Sequence, residues 1–303
     1  MKPGEFIPPM LAQTAPVPFS DDDWWYEIKW DGFRAIISRG SELHIYSRQG
    51  QELLRHYPVL KTLEAQLPDP VVLDAELVAW TPEGPSFSGL MSQDPHTPLM
   101  LMVFDCLYSH GRWHLEKPLA ERQQRLREAI IPGGLMMITD GVAGAGEAYF
   151  AAVKAEGLEG VLAKRLNSPY RPGRRTDYWR KFIAWQAGWF WAISQKQVED
   201  GRWYWTVAER TNRGQWHVVT GVPVPAGIPV DPTVTLLSPP IAVELLFRER
   251  TREGRLRHAK LRQWRFTDSP SGAHPVSPDR TNPPGSGGIL PPDGSAAVDR
   301  SRK

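Results

Sequence analysis

The chain has 303 residues, of which 41% are apolar, and a formal net charge of only +2. This length and composition suit a globular protein with two domains and exclude a globally basic or acidic chain. The single cysteine, Cys106, excludes an internal disulfide, and neither a signal peptide nor an apolar run long enough to span a membrane is evident. We therefore predict a cytoplasmic protein with no membrane partner, in which Cys106 is a buried, inert thiol.

The first distinctive segment is EIKWDGFR, residues 27–34, which follows the Pro-rich residues 1–23. The aromatic residues before and within it favour a half-buried strand. Asp31-Gly32 indicates a tight turn, because glycine supplies the backbone freedom that a sharp reversal needs. Lys29 is therefore predicted to lie on a rigid strand at the lip of a turn.

Predicted strands and helices alternate over the following 150 residues. Gly40-Ser41 is a hairpin signal that joins two strands within residues 34–50. Apolar residues at helical spacing predict helices at 56–67, 116–130 and 146–157. Apolar or alternating segments predict strands at 71–80, 98–108, 159–166 and 178–185.

The composition changes after about residue 186. Five or six short alternating segments between 189 and 265 predict a small β-barrel. From residue 269 onward, 18 of 35 residues are Pro, Gly or Ser, so we predict a disordered tail. The predicted fold class is α+β, with domains at 1–186 and 187–268 followed by the tail at 269–303.

Two acids, Asp74 and Glu76, lie in a strand that otherwise consists of residues preferring burial. Such a carboxylate either forms a salt bridge or faces a polar cleft. Glu159, at the start of another strand, poses the same choice. Paired carboxylates with nearby lysines and arginines suit a metal–nucleotide site, because oxygen ligands hold Mg²⁺ while cations hold phosphates.

Positive charge is concentrated in two segments, 164–181 and 248–265. The first has a single acid, Asp177, against seven basic residues: Lys164, Arg165, Arg171, Arg174, Arg175, Arg180 and Lys181. Basic runs are often only solvated faces. Both of these runs are interleaved with aromatic residues, which favours a surface that binds phosphates.

A lysine nucleophile needs help at neutral pH. With a reference pKa of about 10.4, only about one lysine in a thousand is unprotonated near pH 7.5. Attack by Lys29 on a phosphate would need nearby cations, a metal or desolvation to lower that pKa. Arg34 and Lys181 are candidate neighbours.

Several ordered motifs between about residues 9 and 268 resemble those of ATP-dependent DNA ligases of the bacterial type, within the covalent nucleotidyltransferase superfamily. Lys29-Trp30-Asp31-Gly32 with Arg34 matches the nucleophile motif. The other matching segments are Ser47-Arg48-Gln49-Gly50, Asp74-Ala75-Glu76-Leu77, Phe104-Asp105-Cys106-Leu107-Tyr108, Glu159-Gly160-Val161 through Lys164, Tyr170 through Lys181, and residues 254–258.

The resemblance implies a role for each matching residue. Lys29 is expected to form the lysyl-AMP adduct with ATP, and Glu76 and Glu159 to bind Mg²⁺ or Mn²⁺. Glu27 is expected on the adenine side, Phe104 to stack on adenine, Glu76 also to contact the ribose, and Lys181 to bind the α-phosphate. Arg34 and Arg48 complete the expected nucleotide contacts. The expected nucleic-acid contacts are Arg48, Arg171, Arg174, Arg175, Arg257 and Arg262.

The family's fold is an antiparallel-sheet adenylation domain followed by an OB-fold barrel. Nicked or broken double-stranded DNA is the implied substrate, with a DNA end-binding protein as a candidate partner of a monomeric enzyme. The sequence departs from the family at Ile183, where a second lysine is usual, and at Arg265-Phe266-Thr267-Asp268, where the closing motif usually ends in lysine. Arg180, Arg257 and Arg262 are candidate substitutes for the missing cations.

Three alternatives remain at this point. An RNA ligase or a capping guanylyltransferase shares the lysine motif. A non-catalytic protein that binds nicks or ends would account for the altered closing motif. The intact motif around Lys29 argues against the non-catalytic protein, which has no need of a nucleophile.

Overall fold

The computed structural model describes residues 1–82, 84–251 and 253–266. The chain divides into two compact units, the first at 1–184 and the second beginning at Trp185. Thr267 and Asp268 of the closing motif, and the predicted tail at 269–303, lie outside the described residues. None of the helices in the described part is long and apolar enough to cross a membrane.

The first unit consists mainly of strands. In chain order they are β1 (Leu11–Thr14), β2 (Trp24–Ile28), β3 (Phe33–Arg39), β4 (Leu43–Ser47), β5 (Val71–Thr81), β6 (Gly84–Pro85), β7 (Leu99–Ser109), β8 (Arg112–Trp113), β9 (Met136–Ile138), β10 (Gly141–Ala143), β11 (Gly160–Arg165) and β12 (Arg175–Ile183). The helices are α1 (Phe87–Ser92), α2 (Leu119–Ala129) and α3 (Gly146–Ala155), with 3₁₀ helices at Leu53–Arg55 and Pro58–Ala65.

These strands form two sheets. One has the order β1-β12-β11-β2-β10, and the other has the order β4-β3-β5-β7-β8, with β6 paired to β5 and β9 to β7. Pairing is antiparallel except between β1 and β12 and between β7 and β9. The prediction of a mostly antiparallel-sheet domain with few helices is therefore confirmed for this unit.

The predicted helix at 56–67 is wrong in type. The structure has a 3₁₀ helix at Pro58–Ala65 instead, and its buried residues Leu60 and Leu63 are three positions apart. A spacing of three matches the three residues per turn of a 3₁₀ helix. The short helix α1 was not predicted, because its six residues are too few to establish a period.

The second unit has strands β13 (Gln186–Gln197), β14 (Trp203–Arg210), β15 (Trp216–Pro223), β16 (Leu236–Phe247), β17 (Glu249–Arg250), β18 (Leu256–Arg257) and β19 (Lys260–Arg265). Five of them form an antiparallel sheet in the order β15-β14-β13-β16-β19, and β17 pairs with β18. Its core includes Phe190, Trp205 and Val243. The described part of this unit contains no helix.

Candidate active site

A cleft of about 330 Å³ opens in the first unit, lined by both of its sheets. That volume is in the range of sites that bind small molecules. Its lining includes six of the residues predicted to bind the nucleotide: Lys29, Arg34, Arg48, Glu76, Phe104 and Lys181. Sequence positions up to 152 residues apart therefore meet in one place.

Lys29 lies directly after β2, where the chain leaves the sheet for the turn. Its backbone N–H donates to the Gly160 carbonyl oxygen at 2.9 Å, and its amine contacts the Glu159 carboxylate. The turn itself requires glycine for a steric reason. A Cβ on Gly32 would lie 2.1 Å from the carbonyl oxygen of Leu77, so no side chain fits there. The Asp-Gly turn thus brings the lysine close to β5.

Asp74 and Glu76 have different surroundings, although they lie on the same face of β5. Asp74 is fully buried and accepts two hydrogen bonds from the Arg34 guanidinium, at 2.5 and 2.6 Å, and one from the Tyr170 hydroxyl at 2.6 Å. Glu76 instead lines the cleft. Both alternatives left open by the sequence are therefore realised, one by each acid.

The environment of Glu76 disfavours its charge. Burial raises the pKa of this carboxyl to about 7; Arg34 and Lys29 oppose the rise, and Glu159 and Asp74 add to it. Glu76 and Glu159 are thus near enough to influence each other. A partly uncompensated pair of carboxylates is a favourable setting for a divalent cation.

The carboxylate pair fits Mg²⁺ or Mn²⁺. The described residues contain no cluster of three or more His, Cys, Asp or Glu side chains that could hold a metal by themselves. Mg²⁺ commonly uses only one or two carboxylates and takes its other ligands from water and substrate phosphates. Glu76 and Glu159 are the residues that would hold it here.

Arg34 is a fixed part of the cleft wall. Burial opposes its charged form, but Asp74 outweighs that effect, so the pKa of Arg34 lies above its ordinary value. Its guanidinium carbon lies 4.8 Å from the Phe104 ring centroid and 5.5 Å from that of Trp179. The buried bidentate pair therefore orients both the cation and the aromatic ring beside it.

Glu27 lies behind the cleft. It is 1% exposed and forms an ion pair with Lys164, which is fully buried. Burial raises the pKa of Glu27 and lowers that of Lys164. The Lys164 amine also lies 4.0 Å from the centroid of the Phe104 ring. We did not predict this pair, because a fully buried lysine is rare.

Three cations also line the cleft. Arg48, Arg175 and Lys181 all contribute to its lining. Arg175 was predicted only as a nucleic-acid contact, and the structure places it beside the predicted nucleotide ligands. We call these three residues the cationic wall. Three cations lining one cleft suit a ligand that carries phosphates.

Arg180 does not face the cleft. Its guanidinium lies 4.9 Å from the Trp24 ring centroid and 5.4 Å from that of Phe19, on the face of β12 opposite Lys181. Residues adjacent in a strand point to opposite faces. The prediction that Arg180 takes the place of the missing lysine is therefore wrong. Ile183, which occupies the position of that lysine, is buried.

The remaining predicted nucleic-acid contacts lie outside the cleft lining. Arg171 forms an ion pair with Glu116 at 2.5 Å, and Arg174 is exposed. In the second unit Arg257 pairs with Glu249, and Arg262 lies 3.3 Å from Glu244. The pair of Arg171 and Glu116 is exposed and therefore weak, so Arg171 can still exchange partners. Arg257 and Glu249 are partly buried, and Glu244 is buried.

Residues 9–182 match a family model described as the ATP dependent DNA ligase domain. Every residue that lines the cleft falls within this range. A lysine that directly follows a strand and lines a two-sheet cleft agrees with the nucleotidyltransferase domain that this family model describes. The match covers more than half of the chain, and the chain belongs to the family of ATP-dependent DNA ligase domains.

Similar proteins support this membership. The multifunctional non-homologous end joining protein LigD of Mycolicibacterium smegmatis is 33% identical over 230 residues, which are 75% of this chain and 29% of that protein. The SPbeta prophage-derived DNA ligase-like protein LigB of Bacillus subtilis is 33% identical over 184 residues, 59% of this chain and 67% of that one. This chain thus spans less than a third of the first relative and about two thirds of the second.

Solved structures agree on the fold. Mycobacterial DNA ligase D complexed with ATP and MES has a TM-score of 0.57 at 27% identity, covering 89% of this chain and 98% of that one. The ligase domain of Mycobacterium tuberculosis LigD has a TM-score of 0.56 at 27% identity, covering 86% of this chain and 95% of that one.

Proposed function

We propose that this protein seals nicks in double-stranded DNA, using ATP and a covalent lysyl-AMP intermediate on Lys29. The observation that carries the proposal is the position of Lys29. It lines one cleft together with Glu76 and the cationic wall and contacts Glu159, in a chain of the ATP-dependent DNA ligase domain family.

In the first step, the unprotonated Lys29 amine attacks the α-phosphorus of ATP. A nitrogen–phosphorus bond forms, the bond to the bridging oxygen of the β-phosphate breaks, and pyrophosphate leaves. Lys181 and Arg48 hold the phosphates, and Glu159, which contacts the amine, orients it. A divalent cation held by Glu76 and Glu159 would neutralise charge that develops on the phosphate oxygens.

The base is proposed to bind against Phe104. This ring lines the cleft and is 3% exposed, so adenine would meet the part of the ring that faces the cleft. Arg34 and Lys164 lie against this ring and fix it, and Glu27 acts from behind the cleft by holding Lys164 in place. Glu76 is proposed to contact the ribose as well as the metal.

In the later steps, AMP passes to the 5′-phosphate of the DNA, and the 3′-hydroxyl then displaces it. Arg48 and Arg175 line the cleft and are the proposed contacts of the 5′-phosphate. Arg171, Arg174, Arg257 and Arg262 are proposed to bind phosphates of the duplex. Such contacts make DNA affinity fall with rising salt concentration.

We further propose a domain organisation and a setting. Residues 1–186 act as the adenylation domain and 187–268 as an OB-fold that binds DNA, followed by a disordered tail at 269–303. The five-stranded antiparallel sheet of the second unit supports the OB-fold. The similarity to an end-joining protein supports action in DNA repair with a DNA end-binding partner. We propose that the enzyme is a cytoplasmic monomer.

A sealing assay tests the proposed function. The purified protein is incubated with Mg²⁺ and either ATP or GTP, on a duplex nicked in a DNA strand or in an RNA strand. We expect sealing of the DNA nick with ATP, and its loss in Lys29→Ala but not in the control Lys154→Ala, which changes an exposed lysine of α3. Preferential sealing of RNA, or labelling by GTP, would replace this proposal with an RNA ligase or a capping enzyme.

A further inference from the structure

An exposed tryptophan lies on the cleft face of β5, beyond the predicted metal carboxylate. Leu73, Ala75, Leu77 and Ala79 pack into the core on one face of this strand. Side chains alternate along a strand, so Asp74, Glu76, Val78 and Trp80 share the other face. Trp80 follows Glu76 by four residues, which is about 13 Å along a strand. Its side chain is 42% exposed.

A second tryptophan connects Trp80 to the nucleophile. Trp30 follows Lys29 directly and lines the cleft, and its indole N–H donates to the Thr139 hydroxyl at 3.2 Å. The Trp30 and Trp80 rings are 6.1 Å apart between centroids and tilted by 51°. We call Trp30 and Trp80 the tryptophan pair. It extends an aromatic surface from the reacting amine to the protein surface.

The tryptophan pair lies on the side of Glu76 away from the proposed adenine position. The Trp80 backbone N–H donates to the Pro98 carbonyl oxygen, next to the start of β7. Phe104 is six residues further along, which is about 20 Å in an extended chain. One ATP molecule bound with its base on Phe104 and its α-phosphate at Lys29 would bring its pyrophosphate part, and not its base, nearest to the tryptophan pair. Pyrophosphate offers no flat face to stack on an indole.

We infer that the tryptophan pair holds a nucleotide of the DNA strand that flanks the break; this inference rests on the proposed DNA-joining function. Stacking on aromatic side chains together with a cationic groove is how proteins hold single-stranded nucleic acid with little sequence preference, so the base held here is one that unstacks at the break. The cationic wall supplies the second part here. The 13 Å from Glu76 corresponds to the rise of about four base pairs. Trp80 therefore acts on the DNA steps and not on the reaction with ATP.

The test compares three measurements on the full chain. Trp80→Ala is expected to leave the rate of Lys29 labelling by ATP within about twofold of the parent. The same change is expected to lower kcat/KM for sealing a pre-adenylated nicked duplex at least tenfold, mainly through KM. Trp80→Phe is expected to keep most of the parent's kcat/KM for sealing. The control Ile131→Ala, which removes an exposed apolar side chain elsewhere, is expected to leave it unchanged.

A binding measurement locates the contact and does not depend on catalysis. A nicked duplex carries 2-aminopurine at each of the four positions on either side of the nick in turn. Addition of the parent protein is expected to quench the fluorescence at one position, and Trp80→Ala to abolish that quenching. Failure of the parent to form an adduct would refute the proposed function. The quenching measurement would still show whether the tryptophan pair contacts a DNA base. Equal loss of labelling and sealing in Trp80→Ala, or unchanged quenching, would overturn the inference.

Discussion

Asp74 and Glu76 are separated by one residue on β5, and their surroundings assign them different tasks. The buried ion pair with Arg34 compensates the charge of Asp74, whereas Glu76 faces the cleft with a pKa of about 7. The alternating pattern of the sequence showed that acids project from this strand. It could not show which acid has a cation, because the partner, Arg34, lies on another strand at a register that only the fold determines.

The raised pKa of Glu76 implies that the free energy of unfolding depends on pH. The carboxyl ionises near pH 4.5 in the unfolded chain and near 7 in the folded one, so the folded state loses stability as pH rises through this window. With a chelator present, we expect Glu76→Gln to raise the free energy of unfolding at pH 8 by up to about 3 kcal/mol. The gain should disappear toward pH 4.

Urea unfolding between pH 4 and pH 8 measures this effect. The control Glu42→Gln changes an exposed acid on the loop between β3 and β4 and should leave the profile of the parent unchanged. A Glu76→Gln protein with a constant offset at all pH values would show that burial does not disfavour the charge.

Ile183 provides a second prediction at the residue scale. It lies two residues beyond Lys181 on the same face of β12, about 7 Å further along the strand. Ile183 is buried and does not line the cleft, so in Ile183→Lys only the long side chain would extend toward the bound phosphates. We expect a gain of about 1 kcal/mol for the bound triphosphate, or roughly fivefold in rate at low ATP. Rates of AMP labelling measure it, with Ile183→Met as the control of similar volume. A folded Ile183→Lys protein without any gain would show that this position does not serve the ATP step.

At the scale of elements, the turn after β2 determines where the nucleophile lies. A methyl group at residue 32 would be 2.1 Å from the Leu77 carbonyl oxygen, so β5 and the turn would have to separate. We expect Gly32→Ala to cost about 1–3 kcal/mol of stability and to slow AMP labelling about 100-fold through displacement of Lys29.

The matched control for this change is Gly221→Ala. There the new Cβ would be 3.7 Å from its nearest neighbour, the carbonyl oxygen of Trp205, which is an ordinary contact. Calorimetry and labelling rates measure both variants. Normal labelling by Gly32→Ala would show that the close approach of the turn to β5 is not needed for chemistry.

A buried ion pair joins α2 to β7. Arg122 donates to both oxygens of Asp105, at 2.8 and 2.9 Å, and both side chains are fully buried. Arg122→Met would leave the Asp105 charge uncompensated, so we expect a loss of about 3–5 kcal/mol in the free energy of unfolding. Arg125→Met, on the exposed side of α2, should cost less than about 1 kcal/mol. Chemical denaturation distinguishes them, and equal losses would contradict the assignment.

The elements differ in how far the sequence predicts them. The strands at 71–80 and 98–108 were predicted within one residue at each end, since their apolar runs are long. The 3₁₀ helix at Pro58–Ala65 was assigned to the wrong type, because an apolar spacing of three residues, as between Leu60 and Leu63, occurs in both kinds of helix. The sequence alone could have shown that Arg180 and Lys181 face opposite sides of β12, because they are adjacent residues of one strand.

At the scale of the whole molecule, the motifs in the first 184 residues meet in one cleft, although no local pattern predicts that meeting. Their order along the chain carried the family resemblance, and the two-sheet fold brings Lys29, Glu159 and Glu76 together. Nothing in the sequence indicated that Glu27 and Lys164 form a buried pair, beyond the alternation of side chains that fixes which face of its strand each one lies on. The roles of the individual site residues stay predictions.

The covalent adduct on Lys29 is the central claim, and mass spectrometry tests it directly. The protein is incubated with ATP and Mg²⁺, freed of nucleotide, digested and mapped. We expect the mass of one AMP on the peptide that contains Lys29, and none on Lys29→Ala. An unmodified parent, or an AMP on any other residue that persists in Lys29→Ala, would contradict the account.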